Sequence, residues 1–280
     1  MTSTCRPSCA AEVSVCLPVR DKPASKHRGR TPVRPGGQQF PDTRNVSARI
    51  RRVTTTRAGG VSKPPFDTFN LGDHVGDDAA AVTANRSRLL AAIGLPAERA
   101  VWMNQVHGTR IEVVEGPRGA ALDDTDGVVT ATPRLALAVV TADCVPVLLA
   151  DARAGVVGAV HAGRVGAQHG VVARAVETML GLGAQADDIS ALLGPAVSGH
   201  NYEVPAAMAA EVEEALPGSR TTTGAGTPGL DLRAGIAGQL RALGVTSIKV
   251  DPRCTVADPT LFSHRRGAPT GRLASLVWME

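Results

Sequence analysis

Between residues 127 and 160 the chain carries four apolar runs so closely spaced that they limit what it can fold into. They occupy 128–130, 135–140, 145–149 and 156–160, and each is near-continuous rather than alternating. A strand with one wet face alternates apolar with polar residues, so these strands need cover on both faces. The short breaks between them suit hairpin-like pairs.

Helices are the natural cover. Val82, Leu89, Leu90 and Ile93 mark the apolar stripe of one helix, with Asp77 or Asp78 as its cap and Gly94 and Pro96 as its stop. A second is expected over 166–180, with Val171, Val172, Ala175, Val176 and Met179 inward. Segments 205–216 and 231–243 read as two more, closed by Pro217 and Gly244. Further strands are expected at 49–56, 100–103, 110–114, 189–193, 248–250 and 274–278. The pattern predicts an α/β chain, a mixed-sheet α+β sandwich in a single domain over 46–280, rather than a regular parallel barrel.

Charge narrows the function classes. The formal net charge is +4, yet residues 1–45 alone hold eight Lys/Arg against three Asp/Glu. The other 235 residues carry 22 basic and 23 acidic side chains, so the body has no broad basic footprint for nucleic acid. Residues 1–45 also hold six Pro, three Cys (Cys5, Cys9, Cys16) and no apolar periodicity, and they read as a disordered basic extension. Such a segment lacks the apolar centre of a signal peptide and reads either as a dispensable extension or as sequence upstream of a start near Val46. No apolar run approaches the ~18 residues of a membrane span. Only Cys144 and Cys254 remain in the body, which fits a reducing cytoplasm rather than a disulfide framework.

Three short segments carry the chemistry: Asn104-Gln105-Val106-His107-Gly108, Thr141-Ala142-Asp143-Cys144 and His161-Ala162-Gly163-Arg164. Two imidazoles and a thiolate suit Zn²⁺ or copper, and three protein ligands leave a coordination position for water or substrate. Cys144 and His161 stand at the ends of apolar runs, and Ala162-Gly163 permits close backbone approach. The helix expected from Gly166, with Arg164 just before it, favours an anion such as phosphate. The same residues admit a second chemistry, in which Cys144 is a nucleophile and His161 its base. Asp143 either orients a histidine or caps its turn.

N-Q-V-H-G at 104–108, T-A-D-C-V-P-V-L-L at 141–149 and A-V-H-A-G at 159–163 together resemble the YfiH-type family, also called the laccase-domain or polyphenol oxidase family. Supporting stretches include N-L-G-D-H-V-G-D-D at 70–78, N-R at 85–86, Y-E-V at 202–204, C-T at 254–255 and F-S-H-R-R at 262–266. The resemblance implies a YfiH-like catalytic domain over 46–280 with a zinc site, copper being the alternative, at His107, Cys144 and His161. It implies phosphorolysis of purine nucleosides (adenosine, inosine or guanosine, and methylthioadenosine), with adenosine deamination at the same site. Copper-dependent phenol oxidation is the older association. Purine nucleosides and phosphate are the implied partners, with a monomer or homodimer as the working unit. Asn70 and Arg86 match positions expected near substrate, while Arg164 stands where the family usually has Trp and is expected to bind the anion. Asp143, His74 and His264 are candidate proton carriers.

Overall fold

The computed structural model describes residues 47–280. In chain order they form β1 (Ile50–Thr54), α1 (Ala79–Ala92), β2 (Ala100–Val101), β3 (Ile111–Val113), β4 (Gly127–Thr130), β5 (Ala136–Thr141), β6 (Val145–Asp151) and β7 (Val156–Ala162). There follow α2 (Arg164–Gln168), α3 (Val171–Gly181), β8 (Ile189–Leu193), α4 (Ala206–Ala215), β9 (Arg220–Thr222), β10 (Pro228–Leu230), α5 (Leu232–Ala242), β11 (Ser247–Val250) and β12 (Leu273–Met279). The disordered extension expected at 1–45 lies outside the described residues.

Two mixed sheets lie face to face. One has the order β1-β12-β5-β2, the other β11-β8-β6-β7-β4-β3. Leu137, Val139 and Val277 of the first meet Leu148, Val157 and Ala159 of the second in a core between the sheets. The outer face of the four-stranded sheet packs through Val53, Ala138 and Leu276 on Leu89 and Leu90 of α1. The outer face of the six-stranded sheet packs through Val147, Leu149 and Val160 on α3 and α5, by way of Val176, Met179 and Ile236. Successive residues of β6 thus enter different cores, Val147 toward helices and Leu148 toward the other sheet. Cover on both faces is why the central runs have no polar alternation.

The helix expected over 166–180 is two. Gly170 sits at φ +81°, a left-handed conformation that is cheap only without a Cβ, and it separates α2 from α3. The five residues of α2 leave little macrodipole at its start, so the anion attraction assigned to that helix has to come from side chains instead. The β9–β10 hairpin was not legible in the sequence, because three-residue strands flanking a Gly-rich turn carry no apolar run.

The strand register sets up the site. Pairing of β6 with β7 places Val145 opposite Ala162 and Pro146 opposite His161. Cys144, one residue before β6, therefore emerges beside the C-terminal end of β7.

Candidate metal centre

The first histidine reaches this sheet end from the loop between β2 and β3, and two neighbours hold it there. Gln105 makes a reciprocal amide pair with Val140, donating to its carbonyl at 2.8 Å and accepting from its N–H at 2.9 Å. That pair docks the loop on β5 as a strand would. Asp126, fully buried just before β4, accepts the backbone N–H groups of Val106, His107 and Gly108 at 3.2, 3.0 and 2.7 Å. These bonds hold His107 in the left-handed region, at φ 61°.

The same carboxylate reaches the second histidine. His161 Nδ1 donates to Asp126 Oδ1 at 2.8 Å, which leaves Nε2 free as a metal donor. Small residues bring the loops together. A Cβ on Gly163 would lie 2.5 Å from His107 Cδ2 and 3.2 Å from Cys144 Sγ. One on Gly166 would lie 2.7 Å from the Gly108 carbonyl oxygen.

His107, Cys144 and His161 meet, their donor atoms all within 4.8 Å of one another. Cys144 Sγ is 3.7 Å from His107 Nε2, and the two imidazoles stand edge to face with centroids 4.7 Å apart. Ligands of a tetrahedral zinc sit roughly 3.5 Å apart, so the cradle fits an ion of that size and ligand preference. Asp126 adds the carboxylate that commonly backs a metal-bound histidine.

Electrostatics prepare the thiolate. Burial by itself pushes the Cys144 thiol up, but the positive His161 and the hydrogen bond from His107 outweigh it and bring the thiol to about 6. Burial likewise opposes a charged His161, yet the Cys144 thiolate and the Asp126 hydrogen bond raise it to about 9. Burial pushes the Asp126 carboxyl up, but the His161 hydrogen bond and the backbone N–H groups of Gly108 and Val106 leave it below the ordinary carboxylate value. The metal-free site is thus a thiolate–imidazolium pair anchored on a carboxylate.

The three donors open onto a cavity of about 310 Å³. Arg164, Arg265 and Arg272 line it, together with His74, His264 and Tyr202. Arg272 is anchored through Nη1 to the carbonyls of Thr270 and Gly271. Asp143 also faces the cavity but is committed elsewhere: Thr255 Oγ1 donates to one oxygen at 2.5 Å and Arg265 N to the other at 2.7 Å. These two bonds tie the 254–255 and 262–266 segments to the residue before Cys144, a structural duty.

Two expected substrate residues lie apart from the cavity. Asn70 is fully buried; its amide accepts from the N–H groups of Gly72 and Arg272 and donates to Gly72 O and Asp77 Oδ2. Arg86 donates to Leu71 O at 3.0 Å, pairs with Asp73 at 3.1 Å and stacks 4.1 Å over Trp102. Both shape the 70–77 loop and so place His74 and Arg272, which do line the cavity. Arg164 does face the cavity. Asp126, Arg265 and Arg272 were missed by sequence reasoning. Asp126 left one trace, a carboxylate directly before an apolar strand, where burial without a partner would be costly.

A sequence model of the family described as multi-copper polyphenol oxidoreductase laccase matches residues 51–280. The chain belongs to this laccase-domain family. It is 83% identical over 239 residues to a Mycobacterium tuberculosis protein named purine nucleoside phosphorylase, covering 85% of this chain and 96% of that one. A Corynebacterium glutamicum protein of the same name is 55% identical, covering 82% and 94%. Among solved structures, YlmD of Geobacillus stearothermophilus is 34% identical with a TM-score of 0.78, covering 82% of this chain and 92% of YlmD. YfiH of Bacillus licheniformis is 30% identical with a TM-score of 0.76, covering 84% and 97%. The mixed-sheet sandwich is thus the fold of the YfiH-like laccase-domain proteins. Among the described residues no helix is long and apolar enough to cross a membrane.

Proposed function

We propose that this laccase-domain protein is a zinc-dependent purine nucleoside phosphorylase. Its substrates in this reading are adenosine, inosine or guanosine, and methylthioadenosine, each cleaved by phosphate, with deamination of adenosine as a side activity. The observation that carries the proposal is one cavity in which the His107, Cys144 and His161 donors share walls with Arg164, Arg265 and Arg272. The relatives named purine nucleoside phosphorylase supply the substrate class.

Phosphorolysis forms a bond from a phosphate oxygen to the anomeric carbon and breaks the bond from that carbon to the base. The base departs with the electron pair and then takes a proton. Guanidinium groups are matched to the phosphate in charge and fork geometry. His74 and His264, both on the cavity wall, are the side chains we assign to hand a proton to the leaving base. A zinc ion, when bound, supplies an open position that polarises a substrate atom or activates water for deamination. Asp126 keeps His161 in the tautomer that presents Nε2. A cytoplasmic monomer or homodimer is the form we assign to the enzyme, with no nucleic-acid partner.

The test is incubation of the purified protein with adenosine and phosphate, resolving adenine, inosine and hypoxanthine by chromatography. Adenine with ribose 1-phosphate is the expected product of phosphorolysis, and inosine that of deamination. Cys144→Ala should lower turnover by at least about a hundredfold, the scale on which loss of such a group is felt. Wild-type protein without turnover, or Cys144→Ala with full turnover, defeats the proposal.

A second reading rests on a specific arrangement, the Cys144 thiolate beside His161, which Asp126 orients. That is the layout of a Cys–His hydrolase. Metal-free protein retaining Cys144-dependent activity is its signature, and elemental analysis alongside the activity assay separates the two. Multi-copper oxidation of phenols fits less well, because the described residues contain one three-donor cluster.

A further inference from the structure

We propose that Tyr202, with the Arg265 guanidinium stacked on it and Leu232 nearby, is the wall of the cavity that receives the nucleobase. The inference rests on the phosphorylase reading and adds to it where the base sits.

The chain has one tyrosine among only seven Phe, Trp and Tyr residues, and that tyrosine lines the metal cavity. The other larger aromatics go mainly to packing: Phe69, Phe262 and Trp278 are buried. Tyr202 is half-buried, resting against the core beneath the helices while it faces the cavity. Arg265 lies with its guanidinium carbon 5.1 Å from the ring centroid. The pair offers flat, polarisable surface, which suits a heteroaromatic ring far better than it suits phosphate.

Both partners are held from behind. The Tyr202 carbonyl accepts the Leu230 N–H at 3.1 Å, and Glu203 bridges to Gly229. The Arg265 side chain donates to the Glu203 carbonyl at 3.2 Å, and its backbone N–H donates to Asp143. Asp143 directly precedes Cys144, so the platform and the metal donors are fixed relative to each other. Such rigidity is what a ring must meet if its glycosidic bond is to lie at the reacting centre.

The Tyr202 hydroxyl makes no hydrogen bond to another described residue. Burial, followed by the nearby Cys144 charge, pushes its pKa up, so at neutral pH it is a donor. Purine ring nitrogens and a carbonyl at the six position are acceptors for it. Arg164 and Arg272, the guanidinium groups of the cavity outside this platform, remain available for phosphate.

Zinc-loaded wild type, Tyr202→Ala and Tyr202→Phe decide the matter. Tyr202→Ala should raise the KM for nucleoside roughly 5- to 100-fold, as loss of one aromatic–base stack does. Its phosphate KM should stay within about twofold and its zinc content should match wild type. Tyr202→Phe keeps the ring and should recover most of the nucleoside affinity. A nucleoside KM unchanged in Tyr202→Ala, or a phosphate KM that rises in step with it, overturns the assignment while leaving phosphorolysis intact. A second measurement does not depend on turnover: adenine titrated into zinc-loaded protein without phosphate, followed by ultraviolet difference spectroscopy. Saturable perturbation of the tyrosine band in wild type, absent in Tyr202→Phe, supports the platform even if phosphorolysis fails. Adenine binding that leaves the tyrosine band unmoved overturns it.

Discussion

Asp126 shows how one carboxylate makes two distant histidines converge. Its Oδ1 takes both the His161 ring N–H and the His107 backbone N–H, so moving either histidine means breaking a buried charge-assisted bond. The consequence is a pH signature in the metal-free protein. The lowered Cys144 supplies stability that is complete above the ordinary thiol range and lost as pH falls through about 6. The raised His161 supplies stability that is complete below the ordinary imidazole range and lost as pH rises through about 9. Metal-free protein should therefore resist heat best between those limits. Iodoacetamide labelling of Cys144, resolved from Cys254 by peptide mass spectrometry, should rise through about pH 6. Labelling that begins only near about pH 8.5, where an ordinary thiol ionises, would show that the pair does not form.

Elements contribute through closeness as much as through their own stability. The turn from β7 into α2 must pass the His107 loop, and Gly163 lets it do so. Its backbone, at φ −72° and ψ 169°, would accept alanine, so the constraint there is space alone. Gly163→Ala should leave the circular dichroism spectrum unchanged while the zinc content of purified protein falls well below one per chain. Full zinc occupancy in that variant would mean that the loops separate easily. The break at Gly170 works in the opposite sense, since its positive φ ends α2 after five residues and directs α3 onto the sheet. Arg86 illustrates an element position whose role changes on folding. On a helical wheel it is a surface residue and by family likeness a substrate contact, yet it is closed over Trp102 as a brace for the 70–77 loop.

At the scale of the molecule, two face-to-face sheets with helices on their outer faces put His107, Cys144 and His161 together at one sheet end. The family match begins at residue 51 and β1 at Ile50, so the catalytic unit we assign is 46–280. A chain starting at Val46 should match the full chain in melting temperature, zinc content and phosphorolysis; a drop in any of them would give residues 1–45 a role in the domain.

Much of this was legible from sequence, for a physical reason. Apolar runs, caps and stop residues act over a few neighbours, so strands, helices and the sandwich class could be read locally. The segments bearing His107, Cys144 and His161 could be found because metal chemistry admits few residue types. What local reading could not supply was partnership across the chain. Asp143 meets the Arg265 backbone 122 positions away, and Asn70 meets Arg272 across 202. No periodicity encodes such pairs, which exist only once the layers have packed. The sequence by itself therefore determined the layers and pointed to His107, Cys144 and His161, whose donor atoms the fold brings within 4.8 Å of one another. Only the tertiary structure decided that Asp126 aligns those donors, that Arg265 and Arg272 join them, and that Asn70 and Arg86 stand behind the cavity wall, because burial and hydrogen bonding are settled by neighbours in space.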